Sequence, residues 1–229
     1  IGGTLHLGYS LSEHLKQQLR YTLENTKISN VDANASTYIK QQQGEDTVSM
    51  IGQSFIYDER DNRMNPTSGY FLRLNQDLAG LGGDDQFLRH EVQGEYYVPL
   101  AKKWTFVTHA AAGNVFGIDQ DVRINQRFFI GGQDVRGFAN AGLGPRDAAT
   151  RDALGGNSYY AGTGEVRFPL GLPDDLGVTG AAFVDAGSVW DFDGSSVGVN
   201  SSSNLRASGG FGIAWSSPFG PIRIDFAKA

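Results

Sequence analysis

One arginine stands among glycine and hydrophobic residues in a setting that suits anion binding. The segment at 127–138 reads RFFIGGQDVRGF, so Arg136 lies between Val135 and Gly137. A guanidinium fork binds two carboxylates at once in a water-poor place, and glycine pairs let a backbone turn and lie against a wall. The segment is interpreted either as a loop anchored through Arg136 or as an exposed loop with an incidental arginine.

Two carboxylates on neighbouring predicted strands favour the anchored loop. Glu165 lies on the polar face of a predicted strand at 157–169, and Asp185 interrupts the apolar run AAFV before AGSVW. A carboxylate inside such an apolar strand is costly unless it is paired. Period-two alternation puts Asp185 on the same inward face as Thr179 and Ala181. We therefore expect Asp185 to have a partner.

Catalytic, metal and cofactor sites are not indicated. His6, His90 and His109 fall in the middle of predicted strands, where His90 interrupts an apolar face, and His14 lies at a short turn. No His-x3-His spacing appears, and the segment DFDG at 191–194 lacks the spaced ligands and closing Glu of a calcium loop. We therefore predict no catalytic residue, no metal and no cofactor.

Composition excludes further classes. The chain has 229 residues with 31 Gly and no Cys, which rules out disulfide scaffolds, Cys-ligated zinc and thiol nucleophiles. A net charge of -6 with scattered basic residues argues against nucleic acid as a partner. No apolar run approaches the roughly 18 residues of a spanning helix, but transmembrane strands need only about 9–11 residues with every second one apolar.

Alternation of apolar with polar or small residues predicts ten strands. At 205–216, for example, mainly apolar residues on one face of the strand alternate with small or polar residues such as Arg, Ser and Gly on the other. The predicted strands are about 3–11, 14–25, 46–58, 68–79, 85–100, 103–117, 157–169, 176–190, 204–217 and 220–228. A single short helix is expected at 33–42, with Asp32 as its cap and Gly44 at its end.

The connections between these strands predict the architecture. Short or middling links (12–13, 60–66, 101–102, 171–175 and 218–219) alternate strictly with longer ones (25–46, 80–84, 117–157 and 191–203). This order is typical of an all-β, antiparallel, up-and-down transmembrane β-barrel with short turns at one rim. Charged inward residues then face a wet lumen rather than a core. Aromatic residues expected near strand ends, as interfacial girdles, are Tyr9, Tyr57, Tyr70, Tyr97, Trp104, Tyr160 and Trp190.

Three motifs in the correct order, together with one turn, resemble one family over nearly the whole chain. They are FFIGGQDVRGF at 128–138, FVDAGSVW at 183–190, SPFGPIRIDFA at 217–227, and the turn from DERD to NPTSGY at 58–70. Together they resemble the C-terminal barrel of outer-membrane protein assembly factors in the bacterial surface antigen superfamily.

The resemblance implies a sixteen-stranded barrel whose sixth loop folds back into the lumen, with our ten strands as its sixth to fifteenth. The loop-six motif maps onto Gly131, Gly132, Val135, Arg136, Gly137 and Phe138. The resemblance also implies that Arg136 meets Glu165 and Asp185. Residues 1–229 are then expected to form one partial barrel domain, with the periplasmic POTRA repeats, the first strands and the last strand outside it.

The function implied by the resemblance is folding and insertion of β-barrel proteins in the bacterial outer membrane, without enzyme activity. The expected partners are the outer-membrane bilayer, unfolded β-barrel clients, and assembly-machine lipoproteins bound through the absent repeats. A TamA-like autotransporter assembly factor or a two-partner secretion pore is an alternative within the superfamily. A complete ten-stranded enzyme resembling omptin proteases, and a passive porin, are alternatives from other classes.

Overall fold

Ten long antiparallel strands form one continuous sheet. The structure, a computed structural model, describes residues 1–194, 197–217 and 219–229. The ten strands lie in the sheet in the same order as in the sequence, and each pairs with the long strand before it and the long strand after it. Their bounds are β1 Gly2–Ser10, β2 Leu15–Ile28, β3 Gly44–Asp58, β4 Gly69–Ala79, β5 Phe87–Ala101, β6 Trp104–Gly117, β8 Ser158–Pro169, β9 Val178–Trp190, β11 Arg206–Ser217 and β12 Gly220–Lys228.

These strands confirm the predicted all-β, antiparallel, up-and-down fold. Every predicted strand is present, with bounds that differ by a few residues. Strands β1 and β12 are the two edges of the sheet, so the described strands form an open wall rather than a closed barrel. Pro218, in the predicted turn at 218–219, lies outside the described residues.

The wall has one apolar and one polar face because side chains alternate along each strand. Large hydrophobic residues on the outer face are exposed; they include Leu5, Leu7, Leu19, Ile51, Leu72, Val92, Val184, Phe211, Ile213 and Ile224. The inner face carries ion pairs such as Arg20 with Asp77, at 2.5 Å, and Arg60 with Glu95, at 3.1 Å. An apolar outer face with a charged inner face is the arrangement of a transmembrane β-sheet.

The links between strands lie alternately at the two rims of the wall, as predicted, but short and long links do not alternate strictly. The turn between β5 and β6 holds only residues 102–103, whereas residues 118–157 connect β6 to β8. The link at 80–86, on the rim of the long loops, is shorter than the link at 59–68 on the opposite rim. Antiparallel pairing fixes which rim a link occupies, but it does not fix the length of the link.

The long loops also pair with each other, which the sequence did not predict. Strand β7, Arg146–Asp147, pairs with β10, Val199–Asn200, and joins two of the long loops. Two 3₁₀ turns cover Ile124–Gln126 and Asp174–Leu176.

The predicted helix is shorter than expected and has a different cap. Helix α1 spans Thr37–Gln41, and the side chain of Ser36 accepts a hydrogen bond from the Tyr38 N–H. Asp32 instead accepts from the N–H of Asn34, in a local turn before the helix, and Gly44 already belongs to β3. Among the described residues, no helix has the length and hydrophobicity that crossing a membrane requires.

One aromatic residue of the expected girdles faces the other way. Tyr57 stacks on Tyr70 with centroids 5.4 Å apart, and Tyr160 packs on Trp190 at the same distance. Tyr97, however, is buried on the inner face, where its hydroxyl donates to Glu95. Its position near a strand end was read correctly, but its strand parity places it with Glu95 rather than with the outer residues.

The hydrophobic core lies between the inner face of the wall and the loop at 118–157. One buried cluster joins Val122 and Phe128 of the loop to wall residues Val48, Ala79, Phe87 and Val115. A second joins Ile130, Val135 and Leu143 of the loop to Val189 of β9. The loop is therefore packed against the wall and not extended into solvent.

Candidate functional site

The loop at 118–157 packs on the inner face of the wall and is closed by backbone hydrogen bonds within itself. Phe128 N–H donates to Gly156 O at 2.8 Å, and Gly156 N–H donates back to Phe128 O at 3.0 Å. Further along, Leu143 N–H donates to Ile130 O at 3.1 Å. The segment between these bonds is closed into a compact turn, and Arg136 is at its tip.

The glycine pair of the motif makes this turn possible. Gly131 and Gly132 have φ values of 139° and 62°, in the region that side chains other than glycine rarely adopt. Asn140 and the Ala139 carbonyl occupy the space that Cβ atoms would need. The turn therefore depends on glycine for both conformation and space.

The tip itself is fastened by packing. Val135 is fully buried, and a Cβ atom added at Gly187 of β9 would lie 3.0 Å from its Cγ2. Gly137 has a φ of 90°, and its α-carbon faces the backbone of residues 227–229 at the end of β12. Phe138 packs against the buried cluster that contains Val135 and Val189. The tip thus spans from β9 to β12.

Arg136 binds Asp185 through three nitrogen atoms. Its Nε donates to Asp185 Oδ2 at 2.7 Å and its Nη2 to Oδ1 at 2.8 Å. Its backbone N–H also donates to Oδ2, at 3.0 Å. The carboxylate therefore fixes both the side chain and the main chain of the tip. Such bidentate pairs are among the strongest protein hydrogen bonds.

The remaining nitrogen of Arg136 faces two further carboxylates. Nη1 lies 3.2 Å from Glu165 Oε2 and 3.5 Å from Asp225 Oδ2. The guanidinium also lies over the Phe183 ring, 3.3 Å from its centroid. The Asp185 side chain is 0% exposed and the Arg136 side chain 15% exposed, so this contact is largely removed from water.

Strand β12 adds residues that the sequence did not assign to the site. Arg223 donates from Nη2 and Nη1 to the two oxygens of Glu165, at 2.7 and 3.0 Å. Its Nε donates to Asp225 at 2.8 Å. The sequence does show that Arg223 and Asp225 share a face, because apolar and charged residues alternate in IRID at 222–225. Sequence did not say that this face would meet Glu165, because β8 and β12 are not neighbours in the sheet.

Arg167 completes a group of six that we term the Arg136 cluster: Arg136, Arg167, Arg223, Glu165, Asp185 and Asp225. Arg167 Nε donates to Glu165 Oε1 at 2.9 Å. With three cations and three carboxylates the cluster is electrically neutral. Burying charges is tolerable when they are paired and their hydrogen-bonding groups are satisfied, as they are here.

Two other arginines fasten the same loop. Arg127 is buried and donates to the carbonyls of Val122, at 2.9 Å, and Asp193, at 3.0 Å. Arg123 pairs with Asp46 of β3 and lies 3.0 Å from Asp85. The loop is therefore tied to the wall and to neighbouring loops along its length.

Fold and site together define a class of protein. The chain forms a transmembrane antiparallel wall whose inner face is occupied by an inserted loop. The model of the Omp85 superfamily domain matches residues 1–229. The chain therefore belongs to the Omp85 superfamily.

Several relatives share long stretches of sequence. The outer membrane protein assembly factor BamA of Neorickettsia risticii is 38% identical over 231 residues, covering all of this chain and 31% of that protein. BamA of Nitratidesulfovibrio vulgaris is 29% identical over 99% of this chain and 28% of its own length. The mouse sorting and assembly machinery component 50 homolog is 32% identical over 65% of this chain and 32% of its own length.

A crystal structure confirms the fold. BamA from Haemophilus ducreyi lacking POTRA domains 1-3 superimposes with a TM-score of 0.81 at 22% identity, covering 99% of this chain and 50% of that one. The chain spans about a third of the length of the curated relatives named here. The Omp85 family and the BamA relatives place the chain in the bacterial outer membrane.

Proposed function

We propose that this chain is the barrel part of an outer-membrane protein assembly factor, which folds and inserts β-barrel proteins into the bacterial outer membrane. The observation that carries the proposal is the Arg136 tip, which binds β9 directly and meets β8 and β12 through Glu165 and Asp225. A passive pore needs an open lumen, whereas this loop packs against the inner face of the wall. The curated relatives that are named as assembly factors support the same function.

The mechanism that we propose is binding and not catalysis. An unpaired strand edge offers a row of free backbone donors and acceptors, on which a client strand can form by β-augmentation. The inserted loop would hold the inner face in one arrangement while such an edge is used. Partners would be the bilayer and unfolded β-barrel clients. Lipoproteins of an assembly machine would bind through periplasmic repeats outside this chain.

The absence of enzyme activity belongs to the same proposal. In the sheet register His6 pairs with Arg20 and His90 with Gln76, whereas His109 pairs with Thr163, which in turn pairs with Asp185 of the Arg136 cluster. The part of the chain that the structure describes also contains no group of three or more His, Asp or Glu residues suited to a metal ion.

Substitution of Arg136 in the full-length protein tests the proposal. We expect Arg136→Ala to slow insertion of an unfolded outer-membrane protein into vesicles by at least about tenfold, because a buried carboxylate loses its bidentate partner. Arg136→Lys should recover only part of the rate, since an ammonium group cannot form the fork. Arg63→Ala, which removes an exposed arginine pairing with Asp58, is the matched control.

Heat-induced unfolding separates misfolding from loss of function. A folded Arg136→Ala barrel that inserts clients at the wild-type rate would refute the role of the tip.

A translocation pore, of the TamA-like or two-partner secretion type, is the competing function. It predicts that Arg136→Ala raises conductance or secretion of a passenger protein without slowing insertion of β-barrels.

A further inference from the structure

The outer face carries a row of polar side chains where hydrocarbon contact is expected. They form a continuous hydrogen-bonded chain across five adjacent strands, which we term the glutamine ladder: Tyr9 of β1, Gln17 of β2, Gln53 of β3, Gln76 of β4 and His90 of β5. Glutamine is an unusual choice here, since polar groups in a bilayer are costly unless satisfied.

Each member of the ladder bonds to the next. The Tyr9 hydroxyl donates to Gln17 Oε1, and Gln17 Nε2 donates to Gln53 Oε1 at 3.2 Å. Gln53 Nε2 donates to Gln76 Oε1 at 2.8 Å, and Gln76 Nε2 lies 3.1 Å from His90 Nδ1. The ladder also explains His90, which interrupts the apolar alternation of its strand.

Register places the ladder inside the apolar zone. The row of Tyr21, Ile51, Leu78 and Leu88 runs beside it on one side, and the row of Phe55, Leu74 and Val92 on the other. Tyr9 lies one residue from the end of β1 at the short-turn rim, and His90 three residues from the start of β5 at the long-loop rim. The polar track therefore crosses the outer wall obliquely between its two rims.

The ladder has hydrogen-bond donors left over. An amide nitrogen carries two hydrogens, and the bonds within the described chain use one on each of the three glutamines. An amide nitrogen can only donate, so Gln76 Nε2 is the donor in its contact with His90 Nδ1. Unsatisfied N–H groups are rarer and less tolerated than carbonyl oxygens with one free lone pair.

The remaining amide hydrogens of the ladder suit a ligand rich in acceptors. A groove of about 520 Å³ lies over Gln53, Gln76 and His90, with apolar side chains at its sides and the paired Arg20 and Asp77 beside Gly52 also in its lining. Its polar floor offers donors and its sides offer apolar contact. Phosphate and ester oxygens supply acceptors without competing donors, and acyl chains fit the leucine and isoleucine sides.

We propose that the glutamine ladder binds a membrane glycerophospholipid through its phosphate and ester oxygens, and so draws a headgroup into the middle of the outer wall. The inference concerns the outer face and does not depend on the assembly function. Such a site would thin the bilayer beside β2–β5, because a headgroup held below its usual depth brings its neighbours and water with it.

A nitroxide on the wall tests the proposal in the full-length protein. The chain contains no cysteine, so a single Ile51→Cys beside the ladder can be labelled selectively once any cysteine elsewhere is replaced. The matched control is Val184→Cys, which lies near the middle of β9 on the outer face and is 61% exposed. The protein is reconstituted in phosphatidylcholine vesicles, and the enhancement of lipid ³¹P relaxation is measured.

We expect the label at position 51 to enhance ³¹P relaxation at least about twofold more than the label at 184, because hydrocarbon excludes phosphate unless hydrogen bonds hold it. Gln53→Leu with Gln76→Leu should reduce the enhancement at 51 to the level at 184. Leucine suits a lipid-facing position, and an unchanged circular dichroism spectrum shows that the sheet is retained. Equal enhancement with and without the glutamines would overturn the proposal.

Two other occupants give distinct results, and either would also overturn it. If the ladder holds only water, accessibility to a water-soluble nickel reagent at position 51 falls in the leucine variant while ³¹P relaxation does not change. If a second copy of the chain covers the ladder, labels at position 51 show dipolar broadening between molecules, which the leucine variant loses.

Discussion

The guanidinium carbon of Arg136 lies 3.3 Å from the centroid of the Phe183 ring. Phe183 is buried and shares its inward strand face with Asp185, two residues away. Carboxylates therefore bind the Arg136 guanidinium at its edge, and the Phe183 ring packs against one of its flat faces. A ring in this position adds cation–π attraction and excludes water from the ion pairs.

Replacing the ring tests its contribution. Phe183→Leu should destabilise the folded protein by about 2 kcal/mol, through loss of a desolvated cation–π contact and ring packing. Urea unfolding of the reconstituted protein measures the change. The control is Phe211→Leu, which alters the same residue type on the lipid-facing side of β11, where the ring is 59% exposed. Equal effects of the two changes would show that the Arg136 contact contributes nothing.

A glycine on β11 makes room for the carboxylate of Asp225. A Cβ atom at Gly212 would overlap Asp225 Oδ1, so Gly212→Ala should displace that carboxylate from Arg223 and cost about 1–3 kcal/mol. Gly209 on the same strand has room for a methyl group, since a Cβ there would lie at ordinary contact distance, 3.6 Å, from the Phe183 carbonyl oxygen. Gly209→Ala should therefore be neutral or slightly stabilising. Urea unfolding that ranks the two substitutions the other way would contradict this account.

The strands were predictable because each has two different environments. Alternation along Leu205–Ser216 and the other segments reflects lipid on one side and polar surroundings on the other, and this signal is local. Register between neighbouring strands then follows from short turns. The cap of α1 was missed because Asp32 and Ser36 are both good cap residues, and only tertiary contacts choose between them.

The Arg136 cluster was only partly predictable for a related reason. The motif around Arg136 and the buried position of Asp185 are visible in the sequence. The approach of Arg223 to Glu165 is not visible, because β8 and β12 are separated by two strands in the sheet. The two side chains meet over the inner face of the intervening strands, so the contact depends on the geometry of the whole sheet. The glutamine ladder was likewise hidden, since each glutamine alone looks like an exception to its own strand.

Charge balance in the Arg136 cluster gives a third prediction. Arg223→Ala leaves two cations facing three carboxylates, and we expect a loss of about 3 kcal/mol because one partner of a buried pair is removed. Adding Asp225→Asn restores neutrality and should recover part of that loss. Urea unfolding of the two single variants and the double variant measures the coupling. Lys27→Ala breaks an exposed pair with Glu45, where both side chains are more than half exposed, and should change stability little.

Additive effects of the Arg223 and Asp225 substitutions would contradict the idea of a neutral cluster. Residues that share one network normally show coupling energies of about 0.5–3 kcal/mol. The sign also matters. Rescue by Asp225→Asn is expected only if the excess negative charge, and not the lost packing of Arg223, dominates the destabilisation.

A pH-dependent turn lies at the opposite rim from the long loops. Asp61, in the link at 59–68, accepts hydrogen bonds from the Thr67 hydroxyl at 2.6 Å and from the N–H groups of Thr67, at 2.9 Å, and Ser68, at 3.1 Å. These hydrogen bonds lower the pKa of the Asp61 carboxyl from 3.8 to about 2, and the bond from the Thr67 hydroxyl makes the largest contribution. The carboxylate thus organises the link.

The sign of the effect follows from this lowered pKa. A carboxyl whose pKa is lower in the folded state stabilises that state above its unfolded pKa, and the contribution is lost as pH falls from about 4 towards 2. We expect the ¹³C signal of the Asp61 carboxyl to titrate near pH 2 in the detergent-solubilised protein. Thr67→Val removes the hydroxyl and should raise that pKa towards the ordinary value near 3.9. A wild-type Asp61 that already titrates near pH 4 would show that the link does not hold this carboxylate.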